Sequence, residues 1–337
     1  MPVRNAAIQL FFALGLLCNC SSHMQMPDIV PATQAQTPVA PPPPRLGDGT
    51  WKSADGEIFS YTKWLPEGGA EPEMVIIGVH GLSGAAEDYR PMGAHFEKTK
   101  KAVYSYELRG QGKDPVEKRR GDIKSPDLWF ADLNTFIGLV RREHPGKPLF
   151  LYGESMGSLI VTHAQAKLAA DNRAALRGII LASPIVAFKE KLPPLKNFIV
   201  HLLIKITPWI KISLGNLAGD EQIQVTTDTN HEEQMAETAH FVSHFSFRLL
   251  GYLEEMIEDC QEATSRIKLP LLILYPGHDY FTDTSDVETF FQKLQSTDKV
   301  KYLFAESFHL LLHDKESESV LEKLSLWLEE KAKPAGE

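Results

Sequence analysis

Cysteine is scarce in this 337-residue sequence: only Cys18, Cys20 and Cys260 are present. Two of them lie close to the N-terminus, so the rest of the chain holds one thiol and can form no internal disulfide. Cys260 itself reads as a small buried or half-buried thiol. A basic excess is also missing. The 35 Lys and Arg residues are outnumbered by 44 Asp and Glu, for a formal charge of −9, and no basic face for a nucleic acid is implied. There is no Gly-x-Gly-x-x-Gly after the first strand pattern and no phosphate loop ending in Lys-Ser/Thr, so no nucleotide or flavin cofactor is expected. Metal ligation finds no support either. His309 and His313 have helical spacing, yet no Glu lies between them and no further ligand cluster accompanies them. No fixed-period repeat is visible. A hydrophobic content of 43% with 23% charged residues is that of a globular protein. The length suits one large domain or two small ones.

What is present begins with a leader. Arg4 supplies a positive start, and Ala6 to Leu17 forms a mostly apolar run of about a dozen residues, too short to cross a bilayer well. It ends at Leu17-Cys-Asn-Cys-Ser-Ser22, which resembles a bacterial lipobox with Cys20 as the lipidated residue. Leu17 fits position −3, whereas Asn19 departs from the usual Gly or Ala at −1, and Cys18 fits less well. Residues 1–19 are therefore expected to be a lipoprotein-type signal peptide, a plain signal peptide and an uncleaved anchor being the alternatives. Each exports the protein, as an envelope lipoprotein held at the membrane or as a periplasmic or secreted chain. Residues 20–49, rich in Pro, Gln, Thr and Ala with a Pro41–Pro44 run, read as a semi-rigid linker.

Beyond the linker, strand and helix patterns alternate. Trp51 to Leu65 reads as a hairpin turning at Asp55-Gly56. The continuous apolar run Met74–His80 suits a strand buried on both faces. Ala102–Glu107 is a further strand. Ser125-Pro126-Asp127 opens a helix, with Ser as N-cap and Pro at the first helical position. Strands over Leu149–Tyr152 and Gly178–Ala182 follow, the first leading into a helix, and after a long interval the pattern resumes with strands over Leu271–Tyr275 and Val300–Phe304, each followed by a helix. The one before Val300 opens at Ser285-x-x-Glu288 as a capping box, and the last spans Ser317 to Lys331. Such alternation predicts a parallel sheet covered on both faces. Residues 50–184 and 269–333 are expected to form this core. The interval 185–268 is helical and strongly apolar in places, notably Phe198 to Ile210, and reads as a helical cap, ordinary core helices being the alternative.

One stretch carries the chemistry. Gly153-Glu-Ser-Met-Gly157 joins a strand pattern to a helix pattern, as in a strand-to-helix elbow that lifts a serine hydroxyl above the sheet. A serine nucleophile needs a base, an acid that orients the base, and donors for an oxyanion. In such elbows the partners follow in the order Ser, Asp/Glu, His. Asp279 comes directly after the strand Leu271–Tyr275, and His309 after the strand Val300–Phe304, both at carboxyl ends where ligands gather. Ser155, Asp279 and His309 are thus the candidate nucleophile, acid and base. Asp283 and Asp286 compete as acid, His278 and His313 as base. The backbone N–H groups of Leu82 and Met156 are the candidate oxyanion donors, and His80 reads as a structural residue of the donor loop.

With these residues in view, His80-Gly81, Arg109-Gly-Gln-Gly112, Gly153–Gly157, Gly277-His-Asp279 and His309 resemble the monoacylglycerol lipase/lysophospholipase branch of the α/β-hydrolases, the serine aminopeptidase S33-like hydrolases. The resemblance covers Trp51 to Leu328, least closely in the cap interval. It implies an α/β-hydrolase fold with a mostly parallel eight-stranded sheet, helices on both faces, a helical cap and no cofactor, with Ser155, Asp279, His309, Leu82 and Met156 in the roles named. Two places depart from the family pattern. Gln111 and Lys113-Asp114 stand where His-Gly and Ser are usual, and Leu310 follows His309 in place of a frequent Glu. Both bear on the substrate. The resulting expectation is an exported serine hydrolase of lipid-like esters, a monoacylglycerol or lysophospholipid, acting through an acyl-enzyme. A peptidase, thioesterase or acyltransferase would use the same three residues, and a binding lipoprotein could keep the fold without turnover.

Overall fold

A computed structural model describes residues 42–187, 189, 194–213, 224–229, 231 and 241–333. The expected signal peptide at 1–19, Cys20 and most of the expected linker lie outside the described residues.

Strands β1 (Arg45–Leu46), β2 (Thr50–Lys52) and β3 (Ile58–Trp64) run antiparallel, and β3 pairs antiparallel with β5 (Lys101–Tyr106). From there the pairing is parallel through β4 (Met74–Val79), β6 (Leu149–Glu154), β7 (Leu176–Ala182), β10 (Leu271–Pro276) and β11 (Lys299–Phe304). The order across the sheet is β1-β2-β3-β5-β4-β6-β7-β10-β11. Among the described residues this is the expected α/β-hydrolase sheet of eight strands with the two-residue β1 added at its edge. Arg45 and Leu46, within the 20–49 segment, pair with Lys52 and Trp51.

The central strands are buried along their whole length because helices cover both faces. Successive side chains of β6 show the alternation. Leu149 and Leu151 join one apolar cluster, Phe150 and Tyr152 the other. The first cluster takes in α2 (Pro126–Glu143), α3 (Met156–Ala164) and α8 (Thr284–Lys293); the second takes in α1 (Arg90–Glu97) and α9 (Ser317–Ala332). The short α4 (Ala170–Ala175) leads into β7. Helix α2 starts as its sequence predicts, with the Ser125 hydroxyl accepting from the Asp127 N–H and Pro126 in the first turn. Helix α8 does not. It begins at Thr284, flanked by Asp283, and Glu288 is drawn instead to the Tyr275 hydroxyl and the Lys301 ammonium. Those two partners satisfy the carboxylate better than a backbone N–H one turn back would.

The 185–268 interval is not one helical unit. Its described part holds α5 (Pro194–Ile206), a ribbon of β8 (Lys211–Ser213) paired antiparallel with β9 (His244–Ser246), then α6 (Phe247–Glu258) and α7 (Cys260–Ser265). Met256, Ile257, Cys260 and Ile267 belong to the same apolar cluster as α3, so α6 and α7 pack on the core. Helix α5 leans on α6, where a Cβ at Gly251 would stand 3.2 Å from Ile204. Its other face shows Phe198, Ile199, Leu202 and Ile206 to solvent, followed by Trp209 and Ile210.

Candidate active site

Ser155 ends the reach of β6 and immediately precedes α3. Its backbone lies at φ 55°, ψ −120°, a region that L-residues other than glycine avoid. Such strain costs on the order of 1–3 kcal/mol and persists only where the surroundings enforce it. Here they do. The Ser155 N–H donates to the Ala182 carbonyl (3.0 Å), and its own carbonyl accepts from the Ser158 N–H (2.9 Å) and hydroxyl (2.6 Å). The flanking glycines are required by space: a Cβ on Gly153 would stand 2.5 Å from the Gly157 carbonyl, and one on Gly157 only 1.8 Å from that of Val79.

The loop after β4 lies against this serine, since a Cβ on Gly81 would be 3.1 Å from that of Ser155. His80 anchors the loop. Its Nε2 accepts the Leu108 N–H (3.1 Å), which leaves the proton on Nδ1, facing the Gly81 carbonyl at 2.9 Å. Among the described residues neither the Leu82 N–H nor the Met156 N–H donates to a backbone or side-chain acceptor.

The loops leaving β10 and β11 are laced together. Gly277 N–H donates to Phe304 O (2.7 Å) and His278 N–H to Ser307 O (3.0 Å). Asp279 and His309 meet there, with His309 Nδ1 donating to Asp279 Oδ2 at 2.9 Å. The other carboxylate oxygen of Asp279 accepts the Phe281 N–H (2.8 Å), and the Phe281 ring meets His309 edge-on at 4.7 Å between centroids. The Ser183 hydroxyl holds the His309 carbonyl (2.5 Å) while its N–H donates to Leu274 O (2.8 Å). Ser183 directly follows Ala182, the partner of the Ser155 N–H, so two consecutive residues tie the serine and the histidine loops to one strand end. Ser155, Asp279 and His309 are each less than a tenth exposed. His309 Nε2 is buried with no hydrogen-bond partner among the described residues, Ser155 Oγ included. Burial by itself pushes the imidazole pKa down; the Asp279 carboxylate, through charge and hydrogen bond, and Glu154 push it up, and the net direction is up.

The competing residues face elsewhere. Asp283 pairs with Lys189 (3.3 Å), and Asp286 lies in the first turn of α8. The His278 ring stacks on Phe308. His313 donates from Nε2 to Asp88 O (2.7 Å) and stacks on His231 with centroids 3.7 Å apart. Burial and the His231 ring hold its pKa down at about 4.

Three site features lay outside the sequence reading. Glu154, inside the Gly153–Gly157 motif, is fully enclosed, and burial together with the nearby Asp88 carboxylate pushes its pKa up to about 8. The signal was in plain view, since an acid at the end of an all-buried strand must be neutralised or paired. Gln111, in the sequence only a departure from the family pattern, accepts the Ser83 N–H on Oε1 (3.1 Å), and Ser183 acts as described above; no local pattern gives either residue this role. Among the described residues no group of three or more His, Cys, Asp or Glu side chains is arranged to hold a metal.

Comparison with known proteins agrees with this architecture. Residues 70–316 match the family described as Serine aminopeptidase, S33. The monoglyceride lipase of Rattus norvegicus is 25% identical over 293 residues, 84% of this chain and 91% of that protein. The phospholipase YtpA of Bacillus subtilis (strain 168) is 25% identical over 253 residues, 74% of this chain and 92% of its own. Among solved structures, a soluble variant of the monoglyceride lipase from Saccharomyces cerevisiae, in complex with a substrate analog, superimposes with a TM-score of 0.70 at 20% identity, covering 90% of this chain and 99% of that one.

Proposed function

Because the chain belongs to the serine aminopeptidase S33 family, we propose that it hydrolyses lipid-like carboxylic esters, monoacylglycerols or lysophospholipids, through an acyl-enzyme formed on Ser155. As a class it is a carboxylic ester hydrolase of the lipase/esterase type. The observation that carries the residue assignment is the buried His309–Asp279 pair, whose open Nε2 belongs to a loop tied to the same strand end as Ser155.

In this reading His309 Nε2 removes the Ser155 hydroxyl proton as Oγ attacks the ester carbonyl carbon. Asp279 keeps the other ring proton on Nδ1 and steadies the imidazolium that forms. The carbonyl oxygen gains its negative charge against the N–H groups of Leu82 and Met156. Donors already fixed in place cost no reorganisation, and losing one raises a barrier by about 3 kcal/mol. His309 then hands its proton to the departing alkoxide, and the alcohol leaves. Water, deprotonated by the same Nε2, attacks the acyl-serine; the fatty acid departs and the Ser155 proton is restored. Hydrogen bonds between base and nucleophile often form only once substrate is bound, so the open Nε2 suits a resting site.

The lipid character of the substrate rests on α5 and the turn after it. Phe198, Ile199, Leu202, Ile206, Trp209 and Ile210 are all exposed, an apolar stripe that water disfavours and an acyl chain or its aggregate would cover. Ser155→Ala should abolish both p-nitrophenyl ester hydrolysis and labelling by a fluorophosphonate; label that persists would remove Ser155 from its role. Activity on a C2 to C14 ester series, run beside aminoacyl amides, should rise with chain length and exceed that on the amides. A flat profile would count against a lipid-like substrate.

A further inference from the structure

Ser83, in the loop that follows β4, has a backbone φ of 62°, again a value that non-glycine residues avoid. Two hydrogen bonds hold it there. Its N–H donates to Oε1 of the wholly buried Gln111 (3.1 Å), and its hydroxyl donates to the Val242 carbonyl (2.7 Å), 159 residues further along the chain. Val242 lies just before β9, at the root of the insertion that carries β8 and β9. That root is attached at several other points to the segment that bears Gln111. The Ser246 N–H donates to the Gly121 carbonyl (2.8 Å), the Gly121 N–H to that of Gly110 (2.7 Å), and the Ser246 hydroxyl to Asp122 (2.6 Å). Arg248 completes the junction by forking onto the same Asp122 carboxylate. A Cβ on Gly121 would stand 1.9 Å from the His244 carbonyl, so the contact is close throughout.

We propose that Ser83 is a positioning residue that couples the insertion to the oxyanion donor loop: its hydroxyl transmits the placement of the insertion root to the neighbouring Leu82 N–H. The inference rests on the reading of Leu82 as an oxyanion donor. Its physical basis is the directional demand of a developing oxyanion, which needs donors about 2.7–3.1 Å from where the charge will form. A loop held at an unfavourable φ by two side-chain bonds relaxes when one is removed. The donor next to it then turns away from the transition state more than from the bound ester. The insertion root would thereby act on the rate of the chemical step without touching the reacting atoms.

The test is a double-mutant cycle in the full-length protein, with Ser83→Gly and Arg248→Ala as the two arms. Glycine accepts the positive φ without strain, so Ser83→Gly removes the hydroxyl while the loop remains able to fold. For a mid-chain ester, Ser83→Gly should lower kcat about fivefold, the worth of one neutral hydrogen bond, with KM unchanged. The inhibition constant of an alkyl trifluoromethyl ketone, which places an oxyanion in the same pocket, should rise by the same factor. Arg248→Ala, which loosens the root outside the reacting centre, should lower kcat in the wild-type background and have no further effect on Ser83→Gly. Ser83→Asn, whose side chain tolerates this backbone and restores a donor, should recover part of the loss. An unchanged kcat in Ser83→Gly or in Arg248→Ala, a change confined to KM, or independent additive losses would overturn the coupling. A wild-type protein that neither hydrolyses esters nor forms the ketone adduct would instead overturn the functional reading on which it rests.

Discussion

Glu154→Gln tests the most unusual electrostatic feature of the site. Glu154 is 2% exposed, and its Oε1 has no hydrogen-bond partner among the described residues. Burial first, then repulsion from Asp88, push its carboxyl from 4.5 up to about 8. Asp88 is itself pushed up to about 7 by burial, with Glu107 and Glu87 adding to the effect against a lowering bond from the Ala85 N–H. A carboxyl that folds protonated contributes its stability in full below the unfolded value near 4.5, and that contribution is lost as pH rises through about 8. At roughly 1.4 kcal/mol per pH unit between the two values, flattening near the upper one, Glu154 should cost the protein about 2 kcal/mol of stability between pH 6 and pH 8. Glutamine keeps the shape and the neutral charge at every pH. Wild type and Glu154→Gln should therefore diverge as pH rises, the variant becoming the more stable by about that amount. Urea unfolding at pH 6, 7 and 8 measures the difference directly, provided the m-values agree. Parallel pH dependences for the two proteins would refute the reasoning, since Glu154 would then be carrying no pH-dependent penalty in the fold.

In the proposed mechanism His309 must be neutral to accept a proton, and its pKa is raised, so the acidic limb of kcat/KM should lie above the ordinary histidine range. Asp279→Asn should move that limb to lower pH and reduce kcat on the order of 10⁴-fold; an unmoved limb would separate the limb from His309. Gly157→Ala places a methyl group 1.8 Å from the Val79 carbonyl, where neither backbone can yield cheaply. It should cost more than 3 kcal/mol or leave no folded protein, and a wild-type urea midpoint would contradict the elbow geometry. Phe198→Ser combined with Trp209→Ser removes two exposed aromatics of the apolar stripe. Hydrolysis of an aggregated long-chain ester should fall about tenfold and that of a soluble short-chain ester much less; equal losses on both would detach the stripe from substrate handling.

The core strands were legible because each carries a continuous apolar run long enough to be read alone, and the candidate acid and base because both directly follow such runs. Short elements were not. β1 is two residues in a proline-rich stretch, while β8 and β9 are three each, and none is long enough to establish a period. The start of α8 departs from its sequence pattern for a different reason. Ser285 and Glu288 have capping-box spacing, but Tyr275 and Lys301 come from strands that only the folded sheet brings beside Glu288. Likewise Met256 and Cys260 look like any apolar helix residues, and nothing local says that they join the cluster around α3. Gln111, Ser83 and Val242 stood furthest from sequence reading. Their association joins three loops, and a backbone carbonyl is one of the partners, so no side-chain pattern could point to it.

The pairing of β7 with β10 has a consequence for how such a protein can diversify. Leu271 lies opposite Ile179 in parallel register, so the chain leaves the sheet after Ala182 and returns on the adjacent strand. Everything between those two points is a crossover that starts at the carboxyl end of β7 and comes back to the amino end of the neighbouring β10. Its length and composition can change without shifting Ser155 on β6 or the loops of Asp279 and His309, provided the helices that pad α3 are kept. The bonds from Val242 and Ser246 back to the core mark where a different crossover would first have to be accommodated.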